Sequence, residues 1–374
     1  MSALAVMLHT RGHTVSGSDL VANEQTRKLQ SLGIKIHIGH ARANSAGADF
    51  VVINGAVDEG NPELKNKTAK IVRREELLAE IESTYKTRIA VAGTHGKSTT
   101  TAMIYAILAN ANLDPTVHNG AVIQPINSNY VIGKGDIFLT EACEFKRSFL
   151  SLRPTIAVIT NVDFDHADCY KDLADVQKTF DKFAAIAQTV IKTEECLPVK
   201  DLKLRVPGAH NLENARAAAQ VGRVLGISEP IIKKALENFM GIDRRFQKIA
   251  SVDNCDIISD YAHHPAEIAT TIQTARSLYK KFLVIFQPHT YTRTIALFQR
   301  FMQVLSTCDC VLYKTYAARE KPITGGRAED LAAAAGVQCI ETHTALNAFI
   351  KKHSDRYDAI ILTGAGDMQG HFAL

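Results

Sequence analysis

Ala90–Met103 reads AVAGTHGKSTTTAM. An apolar run, a glycine-containing turn, Lys-Ser and then a helix-forming stretch follow one another, the order of a strand, a phosphate-binding loop and a helix. Backbone N–H groups in such a turn, with the first turn of the helix, can hold phosphate oxygens. Lys97 can reach the outer phosphates, and the Ser98 hydroxyl can sit on Mg²⁺. The common spacing of four residues between the two glycines would need glycine at position 91, which is Val91. The loop is therefore the shorter form Gly93-x-x-Gly96-Lys97-Ser98, with Thr94 and His95 between the glycines and Thr99 following. Lys97 is expected to be an exposed loop charge.

Strand and helix patterns alternate on both sides of this stretch. Upstream, MSALAVMLHTRGH reads as a helix stopped at Gly12, TVSGSDL as a strand, QTRKLQSLG as a helix stopped at Gly33, and IKIHIG and FVVINGAV as strands. This unit opens on a helix where a strand and glycine turn are usual. Downstream of the loop, GDIFLTEACE and PTIAVITNVDFDH read as strands ending in acidic or His residues. A third unit after FMGIDRRF carries CDIISDYA, FLVIFQPH, VLYKTYA and AIILTGAGD. The pattern predicts α/β architecture with parallel sheets and three domains, 1–84, 85–243 and 244–374.

Composition agrees with a globular chain of this kind. Of 374 residues, 46% are apolar and 22% charged, with a net charge of +4. There is no basic stripe with interleaved aromatics, so nucleic acid is not an expected partner. No apolar run reaches transmembrane length, and MSALAVML lacks the basic flank of a signal peptide. Seven cysteines without CxxC or zinc-type spacing read as buried thiols in a reducing compartment.

Other segments supply candidate ligands. Glu141 ends the DIFLTE strand and His166 follows VITNVDFD. Ligands in an open parallel sheet sit beyond the strands' carboxyl ends, so both converge with Lys97 and Ser98. Carboxylate and hydroxyl oxygens suit Mg²⁺. The alternative leaves Glu141 and Glu144 solvated and His166 as a helix cap. Asn211 and Asn214, three apart in PGAHNLENA, share a helix face and could pair with a purine edge; the alternative makes Asn211 an N-cap. His263, His264 and His289 lack zinc spacing. Asp260, Tyr261 and Arg293 read as polar groups lining an interdomain cleft.

AGTHGKSTTTAM, EACE…SFL…P, ITNVDFDH, PGAHNLENA, RRF, DYAHHP, QPHTYTR, YAAREKPI and TGAGD stand in the order found in the Mur ligases. The chain resembles that family over nearly its whole length. GTHGKSTTT with DYAHHP and QPHTYTR is most similar to the L-alanine-adding branch. The resemblance implies a Rossmann-like UDP-sugar domain, a phosphate-loop ATP domain and a Rossmann-like amino-acid domain. It implies a cytoplasmic ligase that uses ATP and Mg²⁺ to join L-alanine to the lactyl carboxylate of UDP-N-acetylmuramate through an acyl phosphate, for peptidoglycan synthesis. It assigns Lys97 to the β/γ-phosphates, Ser98, Glu141 and His166 to two Mg²⁺ ions, and Asn211 and Asn214 to adenine. Arg245 and Asp260 would close over the nucleotide, while His263, His289 and Arg293 would face the amino acid or acyl intermediate.

The chain departs from the family pattern in four places. Met1 stands just after the family's first strand and G-x-G-G-x-G turn. NGA replaces Ser-Ser-Ala at Asn54–Ala56, the span 185–203 is short, and Thr290 stands where Arg is usual. These departures predict an intact ATP site, with damage to the UDP-sugar site and central sheet. The alternatives are the branch that attaches a recycled tripeptide, disfavoured by QPHTYTR; folylpolyglutamate synthase, disfavoured by DYAHHP; and a nucleotide-binding relative without catalysis.

Overall fold

The computed structural model describes residues 1–371 except Ala56, Lys67, Pro125 and His166–Asp168. The first segment opens on the helix Ser2–Thr10, whose Leu4 and Met7 are buried. Two parallel strand pairs follow: β1 (Ser16–Asp19) with β2 (Lys35–Ile38), and β3 (Phe50–Ile53) with β4 (Lys70–Arg73). Gly12 and Gly33, read as helix stops, have φ +89° and +84°, a region that favours glycine.

A six-stranded sheet forms the middle of the molecule. Its strands are β5 (Thr87–Ala92), β6 (Thr116–Ile123), β7 (Ser128–Val131), β8 (Ile137–Glu141), β9 (Ile156–Ile159) and β10 (Thr189–Lys192). Their spatial order is β10-β9-β5-β8-β6-β7, and only β7 runs antiparallel to its neighbour. The strand pattern is a near-continuous apolar run because both faces are covered. On one face Ile89 and Val91 pack with Met103, Ile107 and Ala218 from the helices Lys97–Asn110 and Ala209–Val224. On the other, Ala90 and Ala92 pack with Phe149, Phe180 and Leu4. The expected damage to this sheet is limited: the shortened span still supplies β10 as an edge strand beside β9.

The third sheet holds β11 (Gln247–Val252), β12 (Cys255–Asp260), β13 (Phe282–Phe286), β14 (Asp309–Tyr313), β15 (Cys339–Ile340) and β16 (Ala359–Thr363). Its order is β11-β12-β16-β13-β14-β15, parallel except for the antiparallel edge β11. The cysteines differ from expectation: only Cys196 and Cys255 are buried, and Cys143 is exposed.

Candidate active site

The phosphate loop lies at the carboxyl end of β5, between neighbours β9 and β8. Two glycines shape it. Gly93 has φ +145°, and a Cβ there would fall 1.8 Å from Thr160 Oγ1; Gly96 has φ +83°, and a Cβ would fall 2.4 Å from Asn214 Oδ1. Both positions therefore exclude a side chain by backbone conformation and by space. Thr94 fastens the loop to the segment after β9: its Oγ1 donates to the Asp163 carbonyl (3.1 Å) and accepts the Asp163 N–H (2.8 Å). The helix Lys97–Asn110 starts on Gly96 with no side-chain cap. Its first N–H groups form an anion-binding end.

Lys97 differs from expectation. Its side chain is only 13% exposed, and Nζ donates to the Gly93 and Thr94 carbonyls (2.6 and 3.1 Å) and to Glu144 Oε1 (3.0 Å). Burial alone would lower the ammonium pKa, but the Glu144 charge and its hydrogen bond outweigh it and raise the value. Glu144, with a solvated reading open to it in sequence, is buried. Ser98 Oγ donates to Glu141 Oε2 at 2.6 Å, and the Gly120 N–H donates to the same oxygen at 2.9 Å. A hydroxyl from a helix start beside a carboxylate at a strand end is a donor set for a hard cation such as Mg²⁺. His166 lies outside the described residues.

A cleft of about 650 Å³ runs between the central and third sheets. His95, Gly96, Thr99 and Asn214 border it from the central side, and Arg245, Asp260 and Glu267 from the other. Asn211 occupies the first turn of its helix but is not the cap, which is Gly208. The two asparagines form a chain: Thr100 Oγ1 donates to Asn214 Oδ1, Asn214 Nδ2 to Asn211 Oδ1, and Asn211 Nδ2 to the Pro207 carbonyl.

Across the cleft, Asp260 is held by the Ala262 N–H (3.0 Å) and Thr271 Oγ1 (3.1 Å). Burial raises its pKa against the pull of Arg245. Arg245 stacks over Tyr261 with 5.3 Å to the ring centroid and pairs with Glu267 at 3.7 Å. Glu267 also accepts the His263 N–H (3.0 Å) and faces His95 Nδ1 (3.1 Å). Burial would raise its pKa, but His263, His95 and Arg245 hold the carboxylate well below its usual range. His263, His289 and Arg293 lie together: the imidazole rings are 5.9 Å apart and Arg293 Nη1 donates to His289 Nδ1 (3.2 Å). Burial lowers the pKa of both rings, that of His289 to about 4. Arg293 Nη2 also reaches Asp165 of the central segment at 3.4 Å.

Three family models match the chain: "Mur ligase family, catalytic domain" over residues 1–86, "Mur ligase middle domain" over 91–191 and "Mur ligase, glutamate ligase domain" over 244–366. A UDP-N-acetylmuramate–L-alanine ligase of Caldicellulosiruptor saccharolyticus is 36% identical over 427 positions, covering 98% of this chain and 94% of its own. The chain belongs to the Mur ligase family. The aligned span exceeds the 374 residues here, so that relative carries internal residues this Mur ligase does not. The crystal structure of the UDP-N-acetylmuramate–alanine ligase of Thermotoga maritima superposes with a TM-score of 0.83 at 28% identity, over 99% of this chain and 94% of that one. A murein peptide ligase of Psychrobacter arcticus shares the fold, with a TM-score of 0.72 at 23% identity over 99% and 94%.

Three residues that build the site of this Mur ligase were given no role from sequence: Glu144 and Asp163 lie inside the EACE and ITNVDFDH motifs, and Gly120 lies in none. Glu267 had a usable signal. It stands three residues after His264 at the start of a helix, the capping-box position, and both reciprocal bonds are present. Thr290, where arginine is usual, adopts φ +66°, a strained conformation for a β-branched residue, and its N–H donates to the Tyr316 carbonyl at 2.9 Å. No helix among the described residues is long and apolar enough to cross a membrane.

Proposed function

We propose that this Mur ligase is an ATP-dependent, cytoplasmic UDP-N-acetylmuramate–L-alanine ligase of peptidoglycan synthesis, with domains 1–84, 85–243 and 244–374 serving the UDP-sugar, ATP and the amino acid. The observation that carries the reading is the cleft shared by the phosphate loop and the third sheet. A carboxylate is a poor acceptor for an amine at neutral pH, so the lactyl carboxylate must first be phosphorylated; the L-alanine amine then displaces phosphate. Such a transfer needs positioning and charge neutralisation more than a covalent protein group. The loop N–H groups and Lys97 bind and orient the phosphates. Ser98 and Glu141 are the residues to hold Mg²⁺, which neutralises phosphate charge when bound. Asn214 orients the base from within the cleft. Arg245 and Asp260 close the far wall and exclude water from a hydrolysable acyl phosphate. His263, His289 and Arg293 form the amino-acid side.

Phosphate release from ATP with UDP-N-acetylmuramate and L-alanine tests the reading. Turnover with both substrates, absent when either is omitted, is the expected result. Turnover with a tripeptide in place of L-alanine would move the chain to the murein peptide ligases, and binding of ATP without turnover would make it a nucleotide-binding relative.

A further inference from the structure

His95, Asp163 and His264 come from three separate elements: the phosphate loop, the segment after β9, and the residue that caps the helix Pro265–Leu278. Their ligand atoms all lie within 4.8 Å of one another. The Nε2 atoms of both histidines are buried and have no hydrogen-bond partner, and His264 is 0% exposed. Buried imidazole nitrogens without a hydrogen-bond partner are costly unless something joins them.

We propose that these three side chains form a site for a borderline divalent cation of the zinc class, tying the phosphate loop to the third domain.

The donor set is right for that class. Two imidazoles and one carboxylate suit Zn²⁺, Co²⁺ or Ni²⁺, whereas Mg²⁺ prefers oxygen throughout. Three protein ligands leave a fourth position for water. The outer contacts are already in place. His95 Nδ1 faces Glu267 Oε1 at 3.1 Å and carries a hydrogen, the carboxylate–histidine arrangement common behind metal sites; burial would lower the pKa of this ring, but Asp163 and Glu267 raise it to about 9, so a cation displaces the Nε2 proton when it ligates there. Asp163 Oδ1 accepts the Phe164 N–H at 2.7 Å, and Oδ2 lies 3.9 Å from His95 Nε2. Ligation by His264 Nε2 moves its hydrogen to Nδ1 and gives up a long 3.3 Å contact from the Ala266 N–H. The ligand atoms must draw in to about 3.3 Å, the edge of a tetrahedron with metal–nitrogen bonds near 2.0 Å. His95 sits between the two loop glycines, so a cation held there stiffens the loop and opposes nucleotide entry. This site is distinct from the Ser98–Glu141 pair, and spacing rules could not find it, because its ligands meet only in the fold.

Titration of the full chain, stripped of metal by a chelator and freed of nucleotide, with Co²⁺ and Zn²⁺ tests the site. The expected result is one cation per chain, with a tetrahedral Co²⁺ spectrum lacking thiolate charge-transfer bands. His264→Asn keeps a good N-cap and removes the imidazole; it should weaken binding at least tenfold, as should Asp163→Asn, which carries the test if the first variant folds poorly. Unchanged affinity in the folded variants, or a spectrum dominated by thiolate, overturns the proposal.

Discussion

Lys97 is held by the carboxylate of Glu144, its Nζ 3.0 Å from Oε1 and 2.9 Å from Oε2, inside the corner formed by the Gly93–Gly96 loop. The pair is largely dry, so it does not behave like a surface salt bridge. Removing one partner of a buried pair leaves the other charge desolvated without it, at a cost of about 3 kcal/mol. Lys97→Ala should therefore abolish turnover and also lower stability by about that amount in urea unfolding. The double variant Lys97→Ala/Glu144→Ala should be more stable than Lys97→Ala alone. A single variant as stable as the parent would show that Lys97 is the exposed loop charge its motif suggests.

Gly93 and Gly12 separate two reasons for glycine. Both have positive φ, but a Cβ at Gly12 meets nothing within 4 Å, whereas one at Gly93 collides with Thr160. Gly12→Ala should cost about 1 kcal/mol from backbone conformation alone. Gly93→Ala must displace the loop from β9 as well, so it should cost more and weaken ATP binding at least tenfold. Thermal melts with and without ATP check both; equal effects would mean the loop shifts without penalty.

The strands that bury both faces were legible as apolar runs, as in IAVA of β5 and FLVIF of β13. The phosphate loop was legible because glycine, lysine and serine are needed there at fixed spacing. β4, β7, β10, β11 and β15 were not. They lie at or near sheet edges, where one side faces solvent and residues such as the Lys and Arg of KIVR are tolerated. β6 is interior, but His118, Asn119 and Gly120 interrupt its apolar pattern. In the site, side chains that act through the local chain were readable and those that act across it were not. Glu144 looks like a solvated acid until Lys97 is placed beside it, and Asp163 gains its meaning from a loop and a helix in other segments.

Glu82 offers a pH test away from the cleft. It is fully buried at the end of the helix Arg74–Ser83; one oxygen accepts the Arg153 N–H at 2.7 Å and the other has no partner. Burial raises its pKa above 4.5, against the Arg153 N–H bond and the Arg88 charge. The folded protein then keeps a proton that the unfolded chain has lost, so this contribution is fullest below pH 4.5 and is lost as pH rises through the folded pKa. Glu82→Gln keeps an acceptor for Arg153 and cannot ionise. It should be more stable than the parent at pH 8, on the order of 1 kcal/mol, with no advantage at pH 4. Urea midpoints at the two pH values measure this, and a variant that gains nothing at pH 8 would show that Glu82 ionises without penalty.

Asn214 and Asn211 are one helical turn apart, yet their positions differ in a way that predicts different nucleotide effects. Among the described residues bordering the cleft, Asn214 is present and Asn211 is not. Asn214 spends one N–H on Asn211 Oδ1 and one lone pair on the Thr100 hydroxyl. An amide has two of each, so one donor and one acceptor remain for a base edge. A purine that presents the complementary pattern is bound, and one with the reversed pattern leaves buried groups unpaired. Asn214→Ala should reduce the preference for ATP over GTP about tenfold. Asn211 instead anchors its neighbour through the Pro207 carbonyl. Asn211→Ala should weaken ATP and GTP by similar factors and leave their ratio alone. Calorimetry with both nucleotides on both variants distinguishes the two. A changed ratio in Asn211→Ala, or an unchanged one in Asn214→Ala, would assign base recognition to another part of the cleft.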